Sequence, residues 1–385
     1  MTPRSVGIAV LLISFLGFGL HGSVSPAQAA IGRAAHLAPK KKRRKKKRAR
    51  AAGKKSNKHP FPKGPREKEF AEKLGENYHP RYTDHFVVLY NCNEKVMKDF
   101  ILRLEQTYKS VHRFTKKQGI KIKYPKEKLI VIFCPDYQEY NGHCKEIVGR
   151  GAPAEAAGLY WSGAANFSIF YDMSQSKSML EFASKARSLR EEARKAKDTR
   201  VKKQKSREAQ WYVGRAKRYQ QTNNRSVVQH EVAHQLLYNL QVHHSDSRNP
   251  QWFVEGLATL FEPPPGRSGA GFNVINQSRL GGIRDTFTHY TPDDLREFVG
   301  AGAKRGGMLS LENYSRSWAL CYYLLKKKRK QLPVYIDLIK HRPRRKEMTP
   351  QDAIDDFEKA FGKIDRKFVK GWSKYITSLP FMPEN

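Results

Sequence analysis

The chain has 385 residues, of which 39% are hydrophobic and 11% aromatic, and this much apolar material excludes a wholly disordered protein. The formal net charge of +37 is unevenly distributed, because residues 33–58 hold fourteen Lys and Arg and no Asp or Glu. The composition therefore predicts a folded, basic protein with a far more basic segment near its N-terminus.

The first thirty residues have the order of a secretory signal peptide. Arg4 precedes an apolar run from Val6 to Leu20, and residues 27–29 (Ala-Gln-Ala) supply the small side chains of a cleavage site. The apolar run is shorter than the about 20 residues that a transmembrane helix needs, and the alternative is an uncleaved N-terminal anchor. We expect an exported protein that is periplasmic, on the cell surface or secreted, with no integral membrane span apart from this segment.

Residues 31–65 are predicted to form a disordered polybasic arm. Between Lys40 and Arg50, ten of eleven residues are basic, and repulsion between like charges keeps such a segment extended. We interpret the 40–50 run as a tether for a polyanion, which is an anionic surface polysaccharide, lipid head groups or nucleic acid. The alternative is a solvated linker without a specific partner.

Four cysteines, at positions 92, 134, 144 and 321, allow three complete disulfide pairings, and the sequence does not select one of them. An oxidising compartment would permit such bonds. No Cys-x-x-Cys pair is present, which argues against a zinc site built from cysteines. For Cys134 and Cys321, a small buried apolar side chain is an equally good interpretation.

The residues from 66 to 175 are predicted to form the N-terminal α+β part of one domain, with folding that begins near His85. Runs rich in β-branched and aromatic residues indicate strands, and a longer amphipathic pattern indicates a helix. The predicted elements are strands at 86–90 and 129–133, a helix at 94–117, and a hairpin of strands 158–161 and 167–171 joined through Gly163 and Asn166. These strands indicate a small mixed sheet.

Helices dominate the rest of the sequence. Residues 176–223 are rich in Lys, Arg, Ala, Glu and Gln, which predicts a basic helical insertion: a solvated basic helix or hairpin, or alternatively a substrate-binding arm. Residues 224–385 are predicted to form the helical part that carries a metal site, interrupted by a glycine-rich stretch from Gly266 to Gly282. Strands first and helices later give the class α+β.

One helical segment carries a metal-binding motif, His230-Glu231-Val232-Ala233-His234. Apolar residues at every fourth position from Val228 to Leu240 predict a helix, on which His230 and His234 are one turn apart. Both imidazoles can then reach one zinc ion at about 2.0 to 2.1 Å. Glu231 lies beside that site as a general base for a water that zinc activates. The alternative is a pair of histidines hydrogen-bonded within a helical core.

A catalytic zinc site needs a third protein ligand. Residues 250–262 are predicted to form a second helix, and Glu255 on this helix is the favoured third ligand. Gly256 next to it is expected to let this helix approach the first one closely.

Three other residues compete for that role. His243 and His244 lie nine and ten residues beyond His234, in a segment without the glycine of a His-x-x-Gly-x-x-His turn. Asp246 is a weaker competitor, and a surface histidine pair in a polar loop is the alternative interpretation of this segment.

The motif at 230–234 together with Trp252-Phe253-Val254-Glu255-Gly256-Leu257-Ala258 resembles the gluzincins, which are zinc proteases of the peptidase MA-like group. More narrowly, it resembles a group of poorly characterised exported bacterial proteins. The resemblance implies a zinc metallopeptidase with Glu255 as third ligand. It also implies a strand edge, at 158–161 or 167–171, along which an extended peptide lies. The similarity is loose over residues 83 to 345 and specific only at the two ligand helices.

The same resemblance implies a downstream Tyr or His that stabilises the oxyanion. Tyr314 is the best-placed candidate, with ordinary packing as its alternative, and Tyr160, Tyr322 and Tyr323 are further candidates. The predicted function is zinc-dependent hydrolysis of peptide bonds in a peptide or protein substrate. The alternative is a non-catalytic surface or polyanion-binding protein that retains a zinc site.

Overall fold

The computed structural model describes residues 59–152, 156–243, 249–263, 271–284, 286–303, 310–342 and 348–382; at 175, 218–224 and 288 it describes the backbone alone. The predicted signal peptide and the 40–50 basic run lie outside these residues. Within the described part, no helix combines the length and the apolar character needed to cross a membrane.

One five-stranded mixed sheet forms the N-terminal half of the fold, in the order β1-β2-β3-β5-β4. Its strands are β1 (His79–Tyr82), β2 (Phe86–Tyr90), β3 (Leu129–Cys134), β4 (Gly158–Trp161) and β5 (Phe167–Tyr171). The inner strands β2, β3 and β5 run parallel, while β1 and β4 pair antiparallel at the edges. The inner strands are buried along their whole length, which explains their uninterrupted apolar sequences. The four predicted strands are confirmed.

Twelve α-helices in the described residues pack around the sheet and form the C-terminal half. They are α1 (Arg66–Leu74), α2 (Glu94–Gln118), α3 (Tyr137–Val148), α4 (Lys177–Lys195), α5 (Thr199–Asn239), α6 (Gln251–Thr259), α7 (Gln277–Gly281), α8 (Pro292–Ala301), α9 (Leu311–Lys327), α10 (Leu332–Lys340), α11 (Pro350–Phe361) and α12 (Arg366–Thr377). A small sheet followed by many helices confirms the class α+β.

The fold begins earlier in the chain than the predicted start near His85, and that prediction is wrong. Phe61 is buried, its ring lies 4.9 Å from the His85 ring, and its N–H donates to the Asp84 carbonyl at 3.0 Å. Helix α1 follows and buries only Phe70 and Leu74. These apolar residues are isolated among polar ones, so they produce no periodic run in the sequence.

The predicted basic insertion is a helical hairpin of α4 and the first half of α5. Few apolar side chains are buried between its two helices, namely Ala186, Leu189, Ala193 and Ala209. Helix α5 has 41 residues and continues without a break through residue 223 to Asn239, so the hairpin and the metal-binding motif share one helix. At 1.5 Å per residue, this helix is about 60 Å long.

The second half of α5 is fixed against the sheet. Val228, Val232 and Leu236 are buried, and the Gln235 side-chain amide donates to the Ile130 carbonyl of β3 at 2.9 Å. The helix predicted between Val228 and Leu240 is therefore confirmed, and it is a core helix at this end.

Gly256 permits a close helix contact, although not the predicted one. A Cβ atom at this position would lie 2.4 Å from Cys321 Sγ and 2.5 Å from the Ser317 carbonyl oxygen, and both residues belong to α9. The expectation that Gly256 brings α6 close to α5 is therefore wrong. The small residue serves the α6–α9 contact, because the three atoms nearest to its Cβ position all belong to α9.

Replacing Gly256 with Ala is expected to destabilise the fold by about 1–3 kcal/mol, because an extra methyl overpacks the α6–α9 contact. The matched control is Gly142→Ala in α3, where a Cβ would meet nothing within 4 Å. Its free energy of unfolding should stay level or rise by about 0.5–1 kcal/mol through reduced chain entropy. Urea unfolding of both variants measures the difference, and equal stabilities would contradict the contact.

All four cysteines are free in the structure. Cys134, Cys144 and Cys321 are buried, whereas Cys92 is half-buried. The buried apolar interpretation of Cys134 and Cys321 is thus confirmed.

Candidate metal centre

The structure brings the three predicted ligands together in the buried interior. His230 and His234 come from α5, and Glu255 comes from α6. The two Nε2 atoms are 3.0 Å apart, and Glu255 Oε2 lies 3.2 Å from His230 Nε2 and 3.4 Å from His234 Nε2. The helix geometry that spaces the two imidazoles by one turn was the basis of the prediction.

These distances fit a metal ion. Donor atoms about 2.0–2.1 Å from one tetrahedral ion lie about 3.3 Å from each other, and the three observed separations fall around that value. Two imidazoles and one carboxylate also form a donor set that suits divalent transition metals. The group of His230, His234 and Glu255 can therefore hold a metal ion.

A side chain one residue before the motif holds α6 beside α5. The amide of Gln229 donates to the carbonyl oxygens of Phe261 at 2.8 Å and Pro263 at 3.3 Å. Both acceptors follow the end of α6, and the residue between them is Glu262. The hydrogen bonds of Gln229 therefore also place Glu262 against α5.

Glu262 orients His230 and was not predicted from the sequence. Its Oε1 lies 2.9 Å from His230 Nδ1. Arg279 holds the same carboxylate through two hydrogen bonds, from Nε at 2.9 Å and Nη2 at 2.6 Å, and Asn276 Nδ2 adds a third at 2.7 Å. A proton on Nδ1 that faces Glu262 leaves the Nε2 lone pair of His230 directed at the metal centre.

The charges of the centre follow from these contacts. Burial alone would raise the pKa of Glu262, but the Arg279 guanidinium lowers it to about 2. For Glu255, burial is likewise opposed by its electrostatic interaction with His234 and by hydrogen bonds with both imidazoles, which lower the pKa to about 2. Arg279 balances Glu262, whereas the partners of Glu255 are the imidazoles of His230 and His234. A cation bound by the three ligands would balance the Glu255 charge.

His230 and His234 differ in their protonation. Burial lowers the pKa of His234, which favours the neutral imidazole that a metal requires. Burial also acts to lower the pKa of His230, but hydrogen bonds with Glu255 and Glu262 raise it to about 10. Metal binding at His230 Nε2 would therefore release a proton.

Glu231 lies next to the ligands, and one of its two carboxylate oxygens is hydrogen-bonded while the other is not. The Tyr160 backbone N–H donates to Glu231 Oε2 at 2.8 Å, while Oε1 has no hydrogen-bond partner in the described part of the chain. Burial raises the pKa of Glu231 to about 8. The centre thus contains a carboxyl group that is held in place and still able to exchange a proton.

Tyr314 is the predicted tyrosine that reaches the centre. It is buried on α9, its ring centroid lies 6.0 Å from that of His230, and the Arg279 guanidinium lies 5.2 Å from the Tyr314 ring. Burial raises the pKa of Tyr314 well above its ordinary value, which keeps its hydroxyl protonated.

The other candidate tyrosines have different partners. The Tyr160 hydroxyl donates to Asn166 Oδ1 at 2.9 Å, the Tyr322 hydroxyl to the Asn273 carbonyl at 3.4 Å, and the Tyr323 ring packs 5.7 Å from that of Phe368.

His243 is not part of the metal cluster. Its ring is buried between Tyr238 and Phe253, with centroid distances of 5.0 and 5.8 Å. Burial lowers its pKa to about 3, so it is a neutral side chain in an apolar site. The other two competitors, His244 and Asp246, lie outside the described residues.

Comparison with known proteins gives one family match. No curated protein matches the chain. The description of the one matching family names no activity, so the resemblance of the two ligand helices to a peptidase stays a prediction. Residues 224–346, which include the three ligands, Glu231 and Tyr314, are similar to the family described as "Protein of unknown function (DUF1570)".

Proposed function

We propose that the protein is a zinc-dependent hydrolase of peptide bonds, with His230, His234 and Glu255 as zinc ligands and Glu231 as general base. The observation that carries this proposal is the free oxygen of Glu231 beside the ligands. A metal site that only supports the fold needs no further carboxylate. Burying a carboxylate with one oxygen that lacks a hydrogen bond costs free energy. Such a cost is expected where the carboxylate has a catalytic role.

Glu231 has the position of a proton carrier. Zinc in this centre would polarise the scissile carbonyl and lower the pKa of a water molecule. The Tyr160 amide holds Glu231 Oε2, so Oε1 is the atom that accepts a proton from the attacking water. The same atom then delivers the proton to the leaving amine. Burial raises the pKa of Glu231, whereas the positive charge of a zinc ion bound beside it would lower that pKa and favour the carboxylate that a general base requires.

Tyr314 is proposed as the donor to the oxyanion that develops on the carbonyl. Its hydroxyl keeps its proton because burial raises its pKa, and a protonated donor near the developing charge stabilises the transition state. Its position beside His230 supports this role, which the other candidate tyrosines do not share.

The substrate is proposed to lie along β4. Of the two strands considered, β4 is at the edge of the sheet and β5 is internal. The Tyr160 N–H is already bonded to Glu231, and residues Trp161 to Gly163 beyond it are half-buried. An extended peptide would therefore pair with the backbone beyond Tyr160, which places its next residues beside Glu231.

The test is cleavage of an unfolded protein by the purified, zinc-loaded chain, followed by mass spectrometry of the fragments. We expect cleavage that a zinc chelator abolishes and added zinc restores. Zinc-loaded protein that binds polyanions but cleaves no peptide would instead support the non-catalytic alternative.

A further inference from the structure

The hairpin of α4 and the first half of α5 concentrates many basic side chains in one place. Residues 177–217, here called the basic hairpin, contain fourteen Lys and Arg against five Asp and Glu. Two of the acidic residues are engaged locally, because Glu191 pairs with Arg194 and Lys195, and Glu192 pairs with Lys205. The remaining charge is strongly positive and exposed to solvent.

Large apolar side chains are exposed on the same hairpin. Nine large hydrophobic side chains are exposed in the described part of the chain, and four of them lie here: Leu180 (53%), Val201 (42%), Trp211 (49%) and Val213 (43%). The contact between the two helices uses other residues, mainly small alanines. These four side chains are therefore not needed to close the hairpin, and their concentration indicates an interaction surface.

Trp211 is the exposed member of an aromatic cluster whose other two rings are half-buried. The Trp211 and Tyr212 rings are 4.9 Å apart, and the Phe182 ring of α4 lies 6.4 Å from Tyr212. The Arg215 guanidinium lies 5.0 Å from the Trp211 ring and 5.7 Å from the Phe182 ring. Aromatic rings next to basic side chains are typical of segments that lie in the head-group region of a membrane.

We propose that the basic hairpin binds the surface of a membrane that contains anionic phospholipid. The excess of Lys and Arg complements the lipid phosphates, while Trp211 and its aromatic neighbours enter the interface. A nucleic acid would also meet the charge and stack on Trp211, but it would leave Leu180, Val201 and Val213 in water. The exposed aliphatic side chains therefore favour lipid.

Docking of the hairpin would fix the metal centre relative to the membrane. Trp211 and His230 lie on the same unbroken helix, nineteen residues apart, which corresponds to about 28 Å along its axis. A hairpin anchored at Trp211 would hold the centre within about 28 Å of the bilayer surface. This inference does not depend on the peptidase proposal, because it concerns binding alone.

Tryptophan fluorescence of the full-length chain tests the proposal. Trp252, Trp318 and Trp372 are fully buried and Trp161 is half-buried, so Trp211 is the most exposed of the five tryptophans. Phosphatidylcholine vesicles with phosphatidylglycerol should shift the emission to the blue, and lipids brominated in their acyl chains should quench it. Both signals should disappear in Trp211→Phe and persist in the matched control Trp161→Phe.

Charge variants distinguish membrane binding by the basic hairpin from binding by the basic segment near the N-terminus. Lys202→Gln, Lys203→Gln and Arg207→Gln together should weaken binding to anionic vesicles by at least about tenfold. The matched triple variant Lys41→Gln, Lys42→Gln and Arg43→Gln should retain quenching of Trp211 once the protein is bound. Vesicle binding without quenching of Trp211 would overturn the proposal. A Trp211 response to an oligonucleotide or an acidic protein, with none to vesicles, would overturn it in favour of that partner.

Discussion

Replacing Glu231 with Gln is expected to lower the rate of peptide hydrolysis by about 10²–10⁴-fold, the range attributed to a general base. Zinc content should stay at the wild-type level, because Glu231 is not one of the three residues whose donor atoms converge. The amide oxygen of Gln can still accept the Tyr160 N–H, so the side chain keeps its place. The other atom becomes an NH₂ group, which has no lone pair to take a proton from water.

The measurement combines kcat/KM on a peptide substrate with the metal content of each variant. Glu231→Asp is the matched control, because it keeps a carboxylate but withdraws it by one methylene from the Tyr160 amide. Its rate should fall between those of the wild type and Glu231→Gln. A Glu231→Gln variant that cleaves at the wild-type rate would remove Glu231 from the mechanism.

Those parts of the centre that depend on local geometry could be predicted from the sequence. His230 and His234 share a helix face because four residues make about one turn, and a helix was indicated by apolar residues at the same spacing. The strands at 86–90 and 129–133 were predicted because fully buried parallel strands have uninterrupted apolar sequences. Each of these inferences needs only neighbouring residues.

Glu262 was missed because its role depends on distant residues. It follows the end of α6, and its charge is buried only because Arg279 arrives from α7 to neutralise it. In the sequence, a single acidic residue after an apolar segment resembles an ordinary helix end. No local signal marks Arg279 either, because in the sequence it follows three polar residues, 276–278, and precedes a single leucine and two glycines.

Neither the helix that contacts Gly256 nor the length of α5 could be predicted from the sequence. A glycine shows that some group comes close, but it does not show which helix supplies that group. The change in composition near residue 223 marks where α5 passes from solvent into the core. It does not mark an end of the helix, because no proline or glycine interrupts the helix there.

Replacing Glu255 with Gln is expected to remove most of the zinc affinity, whereas His243→Leu should keep about one zinc per chain. Glu255 provides the charged oxygen donor 3.2 and 3.4 Å from the two imidazole nitrogens, and a neutral amide is a much weaker ligand. The ion pair between Arg279 and Glu262 stays intact in this variant, so the fold is expected to persist. His243 competes with Glu255 in the sequence, yet its ring lies between Tyr238 and Phe253.

Thermodynamic linkage provides the measurement. At a zinc concentration of 100 times Kd, a protein whose folded state alone binds the ion gains about 2.7 kcal/mol of unfolding free energy. The wild type and His243→Leu should both show this gain, because leucine fills the apolar site of a histidine that is already neutral. Glu255→Gln should lose most of it at the same zinc concentration. The opposite pattern would identify His243 as the third ligand. It would also remove the basis for comparing this centre with the gluzincins.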